Sequence, residues 1–301
     1  MNLLLTARTG QVGAQLVAAL APLGTVIALE HSKFDLSRPD GLPSIIRGIA
    51  PDVIVNAAAY TAVDDAEREE GLATTVNGTA VGVIAEEARR TGALLVHYST
   101  DYVFDGRKDA PYVEDDPPCP INAYGRSKLA GETAIREVGG AHVVLRTSWV
   151  YGARGRNFLR TILGLLRERD ELRIVADQIG APTRATEIAE TTAAIIAAAG
   201  RERLEGRFAP GLFHLTTAGA TSWHGFAAQI LDSARECGLL PAGRAPRLVA
   251  VTTEEYPRPA ARPKNSQLAG ELLKKRFGLA LPPWQEGLSR CLEEIRAAEA
   301  A

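Results

Sequence analysis

The amino-acid sequence predicts an α/β protein: a Rossmann-type, doubly wound parallel sheet with a smaller C-terminal α/β lobe. Short apolar runs rich in branched residues alternate with helical patterns through the first half of the chain. A turn containing two glycines joins the first apolar run to the first helix. After Tyr151 the alternation loosens, and proline-containing segments separate shorter elements. These observations together indicate one large parallel sheet followed by a less regular lobe.

The first half contains apolar runs that we expect to be strands. They lie at 2–7, 26–30, 52–58, 93–100 and 142–148. Helical patterns between them begin at Gln11 and cover about 40–49, 69–91 and 124–137. Strands of a parallel sheet are buried on both faces and therefore read as continuous apolar runs. The order strand, helix, strand thus indicates βαβ units.

The domain boundary is expected near residue 150. Residues 1–150 would form the sheet domain, and residues 151–301 would form mainly the second lobe. The helical pattern at 187–199 and the apolar run "FHLTT" at 213–217 fit either part. We therefore expect about 185–217 to return to the first domain.

Composition and charge exclude several classes of protein. Of the 301 residues, 46% are hydrophobic, which is ample for a buried core. Lys and Arg number 34 against 36 Asp and Glu, so the net charge of −2 offers no basic field for nucleic acid or a membrane. Cys119, Cys237 and Cys291 lack the spacing of a metal site or a disulfide framework. We expect a cytoplasmic protein whose partner is a small molecule.

The glycine turn "LLLTARTGQVGAQL" has the properties of a phosphate-binding loop. Gly10 and Gly13 lie between the first strand and a helix that begins at Gln11. Free backbone N–H groups and the helix dipole favour a pyrophosphate there, and glycine permits its close approach. The first position of the motif holds Ala7, which we expect to resist a positive φ. The turn predicts that 1–150 binds a dinucleotide, although two glycines also suit a tight, well-packed turn.

An acidic residue at the end of the second strand bears on the choice of cofactor. Glu30 is placed where a carboxylate accepts hydrogen bonds from a ribose diol, which favours NAD. His31, Ser32 and Lys33 follow at once and could accommodate a 2′-phosphate. The residues therefore predict NADPH or NADH without choosing between them.

The stretch "AYGRSKLAGE" places Tyr124 and Lys128 one helical turn apart. Residues at i and i+4 share a helix face, so both side chains can reach one point. Reduction of a carbonyl needs a proton on oxygen, and a nearby ammonium is expected to lower the pKa of the phenol towards neutral. Such pairs also arise by chance on helix surfaces. Their place in the chain, after a glycine loop and a hydroxyl-bearing strand, favours catalysis by Tyr124 with Lys128 as its charge partner.

Two hydroxyl residues end the strand "LLVHYST". Ligands of parallel sheets bind beyond the carboxyl ends of the strands, and a hydroxyl there can orient and polarise a carbonyl. Thr100 is the predicted residue, with Ser99 as the alternative. The second lobe, 151–301, would then hold the substrate.

Motifs along the whole chain resemble the extended short-chain dehydrogenase/reductase superfamily and, within it, the family of dTDP-4-dehydrorhamnose reductases. The Tyr-x-x-x-Lys pair marks only the superfamily. The narrower resemblance rests on "STDYVFDG" (99–106), "DQIGAPT" (177–183) and "ARPKNS" (261–266), supported by "NAAAYTAVDDAE" (56–67) and "RTSWVYG" (146–152). It implies reduction of the C4 ketone of dTDP-6-deoxy-L-lyxo-4-hexulose to dTDP-L-rhamnose, with NADPH or NADH as cofactor.

The resemblance also implies roles for residues that match the family's motifs. Tyr124 would donate the proton, Lys128 would assist it, and Thr100 would orient the ketone. The substrate would contact Thr100, Asp101 and Tyr102, with Trp149 covering the sugar and Arg262 holding the diphosphate. The residues implied to line the cofactor site, besides Tyr124 and Lys128, are Gly10, Gln11, Val12, Gly13, Glu30, Asp35, Leu36, Ala57, Ala58 and Ala59.

Each of these residues also has an ordinary structural interpretation. Trp149 follows a buried strand and would suit a hydrophobic core. Asp101 would suit a turn or a helix cap, and Arg262 would suit a solvated surface. The alanines at 57–59 would allow tight packing after a strand.

One departure from the family concerns metal. Some relatives bind Mg²⁺ between subunits through acidic residues, one of which is placed just after the glycine loop, where this chain has Gln15. Magnesium prefers carboxylate oxygens, so we expect no metal in catalysis here. A homodimer remains an open expectation.

Two alternatives to the reductase stay open. A sugar-nucleotide epimerase would use the same three residues but return the hydride, and a reductase of another nucleotide sugar would differ only in substrate. A non-catalytic, dinucleotide-binding regulatory subunit is the alternative of another class. Net oxidation of NAD(P)H separates the reductases from the other two.

Overall fold

The fold is seen in a computed structural model that describes residues 1–241 and 243–300. The strands are β1 (Asn2–Thr6), β2 (Thr25–Leu29), β3 (Val53–Asn56), β4 (Leu94–Thr100), β5 (His142–Thr147), β6 (Val150–Tyr151), β7 (Glu171–Val175), β8 (Ile179–Gly180), β9 (Thr183–Arg184), β10 (Gly211–His214), β11 (Thr221–Ser222) and β12 (Arg247–Val251). The α-helices are α1 (Gln11–Leu20), α2 (Leu42–Ile49), α3 (Val63–Ala66), α4 (Glu70–Thr74), α5 (Ala80–Thr91), α6 (Ala123–Val138), α7 (Phe158–Glu168), α8 (Ala185–Leu204), α9 (Trp223–Glu236), α10 (Glu271–Phe277) and α11 (Trp284–Glu299).

Six parallel strands form the main sheet in the order β10-β5-β4-β3-β1-β2. In the register of the sheet, Leu4 lies between Ile27 and Ile54. The order of the strands reverses between β1 and β3, because the chain first adds β2 on one side of β1 and then β3 on the other. Ligands of such sheets bind at this reversal, beyond the carboxyl ends of the strands.

Helices cover both faces of the sheet. Leu3 and Leu5 point to one face, where they share a buried core with residues of α1 and α8. Leu4 points to the opposite face, where the core includes residues of α2 and α5. Alternate residues of a strand point to opposite faces, so an unbroken leucine run fits a strand covered on both sides. This architecture confirms the predicted fold class.

A second hydrophobic core lies in the C-terminal half, around α7, α9, α11 and β7. Leu163, Phe226 and Trp284 are among its buried members. The strand β10 and the helix α8 follow residue 150 in the chain, yet β10 pairs with β5 in the main sheet and α8 packs on α1. The division into units at residue 150, with a return at about 185–217, stays a prediction.

The helix expected over 69–91 is interrupted by a π-helical turn at Thr75–Thr79. This turn places Asn77 between two segments: its Oδ1 accepts from the Tyr60 amide at 2.8 Å, and its Nδ2 donates to the Ser127 hydroxyl at 2.9 Å. Apolar periodicity predicts the helix but not the extra residue, because π turns depend on such tertiary contacts.

A buried ion pair joins the sheet to α6. Arg146 on β5 donates through Nε and Nη2 to the two carboxylate oxygens of Glu132 on α6, at 2.8 and 2.7 Å. The Ser99 hydroxyl on β4 adds a third hydrogen bond to this carboxylate, at 2.5 Å. Both charged side chains are almost completely buried. The pair therefore fixes the position of α6 relative to β4 and β5.

Replacing Arg146 by Met tests this ion pair, because it leaves the Glu132 carboxylate buried and without its counter-charge. We expect the free energy of unfolding in urea to fall by about 3–5 kcal/mol. The matched control is Arg126→Met, which removes a two-point pair between α6 and Glu70 whose side chains are 45% and 46% exposed. Exposed pairs contribute roughly 0–1 kcal/mol. Equal losses for the two variants would contradict the assigned importance of the buried pair.

Candidate active site

The glycine turn after β1 has the close packing of a phosphate loop. The amide of Gly10 donates to the carbonyl of Ala7 at 2.9 Å. A Cβ at Gly13 would lie 2.0 Å from this same carbonyl oxygen, so only glycine fits there. The first turn of α1 follows directly and presents backbone N–H groups without intrahelical acceptors. The local geometry therefore suits the phosphates of a dinucleotide.

Ala7 adopts a positive φ, which the sequence analysis expects an alanine to resist. Its φ is +55°, in the left-handed region. For a non-glycine residue this costs roughly 1–2 kcal/mol. The hydrogen bond from Gly10 and the close approach of Gly13 hold the turn in this conformation. The expectation was wrong because it weighed the local preference of alanine without these contacts.

A cavity of about 690 Å³ opens at the carboxyl ends of the central strands. It brings together residues from the phosphate loop, from the end of β3, from β4 and from α6. The sequence-predicted residues that line it are Gly10, Gln11, Val12, Gly13, Ala57, Ala58, Ala59, Ser99, Thr100, Asp101, Tyr102, Tyr124, Lys128 and Trp149. Segments far apart in sequence thus meet at the position expected for a cofactor and its substrate.

Three residues predicted for the cofactor lie outside this cavity. Leu36 lines an adjoining cavity of about 360 Å³, which shares Ala58 and Ala59 with the main cavity. Glu30 forms an ion pair with Arg8 at 2.8 Å, and Asp35 accepts from the backbone and hydroxyl of Ser37. Neither carboxylate lines the two cavities.

Helix α6 positions the tyrosine and the lysine. The Asn122 side chain caps the helix by accepting from the Gly125 amide at 2.8 Å. The Ala123 amide donates to Glu67 at 2.8 Å, which ties the start of the helix to the segment after α3. Such caps satisfy N–H groups that would otherwise lack partners. Tyr124 and Lys128 then line the same cavity from one helix face.

Burial opposes the charged forms of both side chains. The pKa of Tyr124 is raised to about 12, mainly by burial, with the Thr100 hydroxyl opposing and the Asp101 carboxylate adding to the shift. The pKa of Lys128 is lowered to about 8 by burial, against the influence of Glu132. The expected lowering of the phenol pKa is therefore not found, because desolvation dominates there and Lys128 Nζ donates at 2.6 Å to the carbonyl of Tyr98.

The strand β4 delivers Thr100 and Asp101 to the cavity. The Thr100 hydroxyl donates to the Asp101 carboxylate at 2.9 Å and accepts from the Tyr102 amide at 3.2 Å. Burial raises the pKa of Asp101 to about 7, and its Oδ2 has no hydrogen-bond partner among the residues that the structure describes. Ser99, the alternative hydroxyl, is instead bound to Glu132. The geometry favours Thr100 over Ser99 as the group that meets a ligand.

Trp149 is held firmly in an unusual conformation. Its φ is +46°, and its indole stacks on Trp223 with ring centroids 3.5 Å apart and planes 4° from parallel. Its Nε1 donates to the Ser266 hydroxyl at 3.1 Å. A Cβ at Gly180 would come within 2.5 Å of the indole, so a glycine is needed beneath it. A left-handed residue fixed by so many contacts at a cavity wall is typical of a binding site.

Arg262 lies beside Tyr102 rather than on the surface. Its guanidinium pairs with Asp64 at 2.9 Å and lies 6.0 Å from the centroid of the Tyr102 ring. It lines a third cavity, of about 390 Å³, together with Tyr102 and Trp223. Its side chain is only 16% exposed, so the solvated interpretation does not apply.

Sequence reasoning missed several groups that the fold brings to the site. Asn56 at the end of β3 and Arg156 after β6 line the main cavity. His97, within β4, is buried behind Lys128, with 3.4 Å between its Nε2 and Nζ. A signal was available for two of them: an Asn and a His interrupt apolar runs, and buried polar groups require partners.

Two features are absent from residues 1–241 and 243–300. Within them, no group of three or more His, Cys, Asp or Glu side chains could hold a metal ion. In the same residues, no helix is both long enough and apolar enough to cross a bilayer.

Comparisons with known proteins agree with the motifs. A family profile described as RmlD substrate binding domain matches residues 1–297. A Burkholderia thailandensis protein named dTDP-4-dehydrorhamnose reductase is 53% identical to this chain and covers 98% of it and 99% of its own length. The crystal structure of the Bacillus anthracis dTDP-4-dehydrorhamnose reductase in complex with NADP has a TM-score of 0.86 at 34% identity, over 97% of this chain and 99% of its own.

A more distant structure resembles the chain in fold alone. UDP-glucose 4-epimerase from Thermus thermophilus, in complex with NAD, has a TM-score of 0.76 at 21% identity and covers 99% of this chain and 100% of its own. The profile and the closely matching relatives, in contrast, confirm the resemblance found in the sequence. The chain therefore belongs to the RmlD family, the family of the dTDP-4-dehydrorhamnose reductases.

Proposed function

We propose that the protein reduces the C4 ketone of dTDP-6-deoxy-L-lyxo-4-hexulose (dTDP-4-dehydrorhamnose) to dTDP-L-rhamnose, with NADPH or NADH as cofactor. The observation that carries this function is that one cavity contains Thr100, Tyr124 and Lys128 together with a phosphate loop. The choice of substrate rests on the names of the relatives, of which the Burkholderia thailandensis protein is 53% identical to this chain. The substrate is thus a dTDP-activated deoxysugar.

The phosphate loop fits the cofactor. Gly10, Gln11, Val12 and Gly13 would hold the pyrophosphate at the start of α1. The packing of this turn requires glycine at position 13, because a Cβ there would lie 2.0 Å from the Ala7 carbonyl oxygen. When bound, NAD(P)H supplies the hydride for the ketone carbon. The alanines at 57–59 line the cavity where the strand order reverses, and their small side chains leave room there for the cofactor. Glu30 and Arg8, paired at the end of β2, offer a carboxylate for a ribose diol and a guanidinium for a 2′-phosphate.

The chemistry at the ketone oxygen belongs to three side chains. Tyr124 donates its phenolic proton to this oxygen. The Thr100 hydroxyl, which donates to Asp101 in the structure, would turn its proton to the ketone oxygen and orient it. The raised pKa of Tyr124 keeps the phenol protonated, and therefore able to donate, throughout the neutral range. Lys128, on the same face of α6, would supply an ammonium that favours the phenolate once the proton has left. In the structure its Nζ donates to the Tyr98 carbonyl, so this role requires the ammonium to reach the phenolate in the complex.

The remaining predicted residues would hold the sugar nucleotide. Asp101 and Tyr102 line the cavity beside Thr100, and Trp149 lines the same cavity. Arg262 lines the third cavity beside Tyr102, which lines the main cavity as well. Its guanidinium suits a diphosphate, with which it can form two parallel hydrogen bonds.

The alternatives make different demands on the cofactor. A sugar-nucleotide epimerase would keep its NAD and show no net oxidation of NAD(P)H, and a regulatory subunit would bind dinucleotide without turnover. The epimerase likeness is one of fold alone at 21% identity.

The homodimer, the cytoplasmic location and the division near residue 150 stay predictions of the sequence.

Loss of the Tyr124 hydroxyl tests the proton donor. We expect Tyr124→Phe to lower kcat by about 10²- to 10⁴-fold, because proton donation contributes this much to catalysis. The assay follows NAD(P)H absorbance with the sugar nucleotide. The control is Tyr112→Phe, which removes a hydroxyl bonded to Asp105 at 2.8 Å in a ring stacked on Phe104. A Tyr124→Phe enzyme with wild-type kcat would rule out the assigned acid.

The pKa of Lys128 predicts the alkaline limit of activity. Its lowered value, about 8, means that the ammonium is present below this pH and is lost as the pH rises through it. We therefore expect kcat/KM for the sugar nucleotide to fall above an apparent value near 8, since this ratio reports groups of the free enzyme. A profile that stays level from about pH 7 to about pH 10 would contradict an essential ammonium.

The glycine beneath Trp149 tests the sugar-covering role. In Gly180→Ala the new Cβ would displace the indole, which lies 2.5 Å from its position. We expect a KM for the sugar nucleotide raised by about tenfold or more, unchanged NAD(P)H binding, and a weaker near-ultraviolet circular dichroism signal from the indole stack. Gly164→Ala in α7 is the control, because its Cβ meets open space. An unchanged KM with a displaced stack would remove Trp149 from the substrate site.

A further inference from the structure

A chain of buried hydrogen bonds leads from the backbone after β3 towards Lys128. The amide of Ala58 donates to the Thr6 hydroxyl at 3.0 Å. Because this amide can only donate, the hydroxyl oxygen is the acceptor, and the Thr6 proton is free to go to Asn56 Oδ1, 2.8 Å away. A longer contact of 3.4 Å from the Ala58 amide to the same Oδ1 favours the same orientation. The Asn56 side-chain amide is thereby oriented.

The orientation of Asn56 sets the proton on His97. With Oδ1 facing Thr6, Asn56 presents its Nδ2 to His97 Nδ1 at 3.1 Å. An amide nitrogen only donates, so His97 Nδ1 must accept. Complete burial and the charge of Lys128 lower the pKa of His97 well below its usual value, so the ring is neutral. A neutral imidazole whose Nδ1 accepts carries its proton on Nε2.

This proton faces the lysine. His97 Nε2 lies 3.4 Å from Lys128 Nζ, which already donates to the Tyr98 carbonyl at 2.6 Å. An ammonium has three donors and no acceptor, so the imidazole N–H and the ammonium oppose each other. A neutral amine has one lone pair, which can accept from Nε2–H. The contact therefore discriminates between the two protonation states of Lys128.

We propose that His97 is a positioning residue for Lys128: held in its Nε2–H tautomer by Thr6 and Asn56, it favours the amine over the ammonium and so sets the pH range of the reaction. The statement about the reaction rests on the proposed function. The tautomer does not, since it follows from the hydrogen-bond directions and from the neutrality of the buried ring.

Other titratable and polar groups also lie near Lys128. Glu132 lies one turn further along α6 and favours the ammonium, but its carboxylate is already paired with Arg146. Tyr124 lies one turn back on the same helix and stays neutral below its raised pKa. From β4, His97 supplies the titratable group and Tyr98 the carbonyl. None of these other contacts depends on Asn56.

The first test measures the tautomer in the intact protein. Two-bond ¹H–¹⁵N correlation spectra of the histidine rings, assigned with a His97→Gln variant, are expected to show a protonated Nε2 and an unprotonated Nδ1 for His97. A ring protonated on Nδ1 would overturn the proposal. This measurement needs no substrate, so it remains decisive even if the sugar nucleotide proves not to be reduced.

The second test reverses the tautomer. In Asn56→Asp a carboxylate faces Nδ1 and is expected to draw the ring proton there, which leaves Nε2 to accept from the ammonium. The pKa of Lys128, followed by ¹³C NMR of its ε-carbon, is expected to rise by about one unit. The alkaline limb of kcat/KM is expected to move by the same amount.

A double variant separates the tautomer from the added charge. If Asn56→Asp acts through the imidazole, its effect on the pKa of Lys128 is largely lost in a His97→Gln background. An equal rise with and without His97 would show that the new charge acts directly, and the proposal would fall. The protein could show a protonated Nε2 on His97 and the expected change in the pKa of Lys128, yet fail to oxidise NAD(P)H with the sugar nucleotide. This result would refute the proposed function but not the effect of His97 on Lys128.

Discussion

The site depends on the burial of two charged residues on one face of α6. Lys128 and Glu132 are 2% and 6% exposed and lie one turn apart. Burial of unpaired charges is costly, so each requires a partner from the sheet. Glu132 receives Arg146 and Ser99 from β5 and β4, while Lys128 receives the carbonyl of Tyr98 from β4. These contacts fix the helix, and with it the catalytic pair, above the ends of the strands.

The charges of Glu132 and Lys128 are therefore compensated to different extents, with different consequences for the site. The carboxylate is fully compensated and contributes rigidity. The ammonium is compensated only in part, so its protonation remains sensitive to its surroundings, as its lowered pKa indicates. A rigid helix that carries one adjustable charge is a suitable support for proton donation, because geometry is kept while the protonation state can change.

Much of the fold and of the site follows from short-range patterns. The five predicted strands of the first half lie in the main sheet, since branched apolar runs have few other stable arrangements. Thr100, Tyr124 and Lys128 meet because strand ends and helix faces converge in any parallel sheet. What could not be predicted depends on partners distant in sequence: the pairing of Glu30 with Arg8, the left-handed Ala7, the π turn at Thr75–Thr79, and the contacts of the buried His97 with Asn56 and Lys128.

The stacked indoles of Trp149 and Trp223 separate two spaces that the substrate could use. Trp149 lines the main cavity and Trp223 the third cavity, and Tyr102 borders both. The partition is only two rings thick, with 3.5 Å between centroids. Because protein interiors are closely packed, a change in the size of one ring is felt by the ring stacked on it. A substitution of either indole therefore acts on the walls of both cavities, directly in one and through the stack in the other.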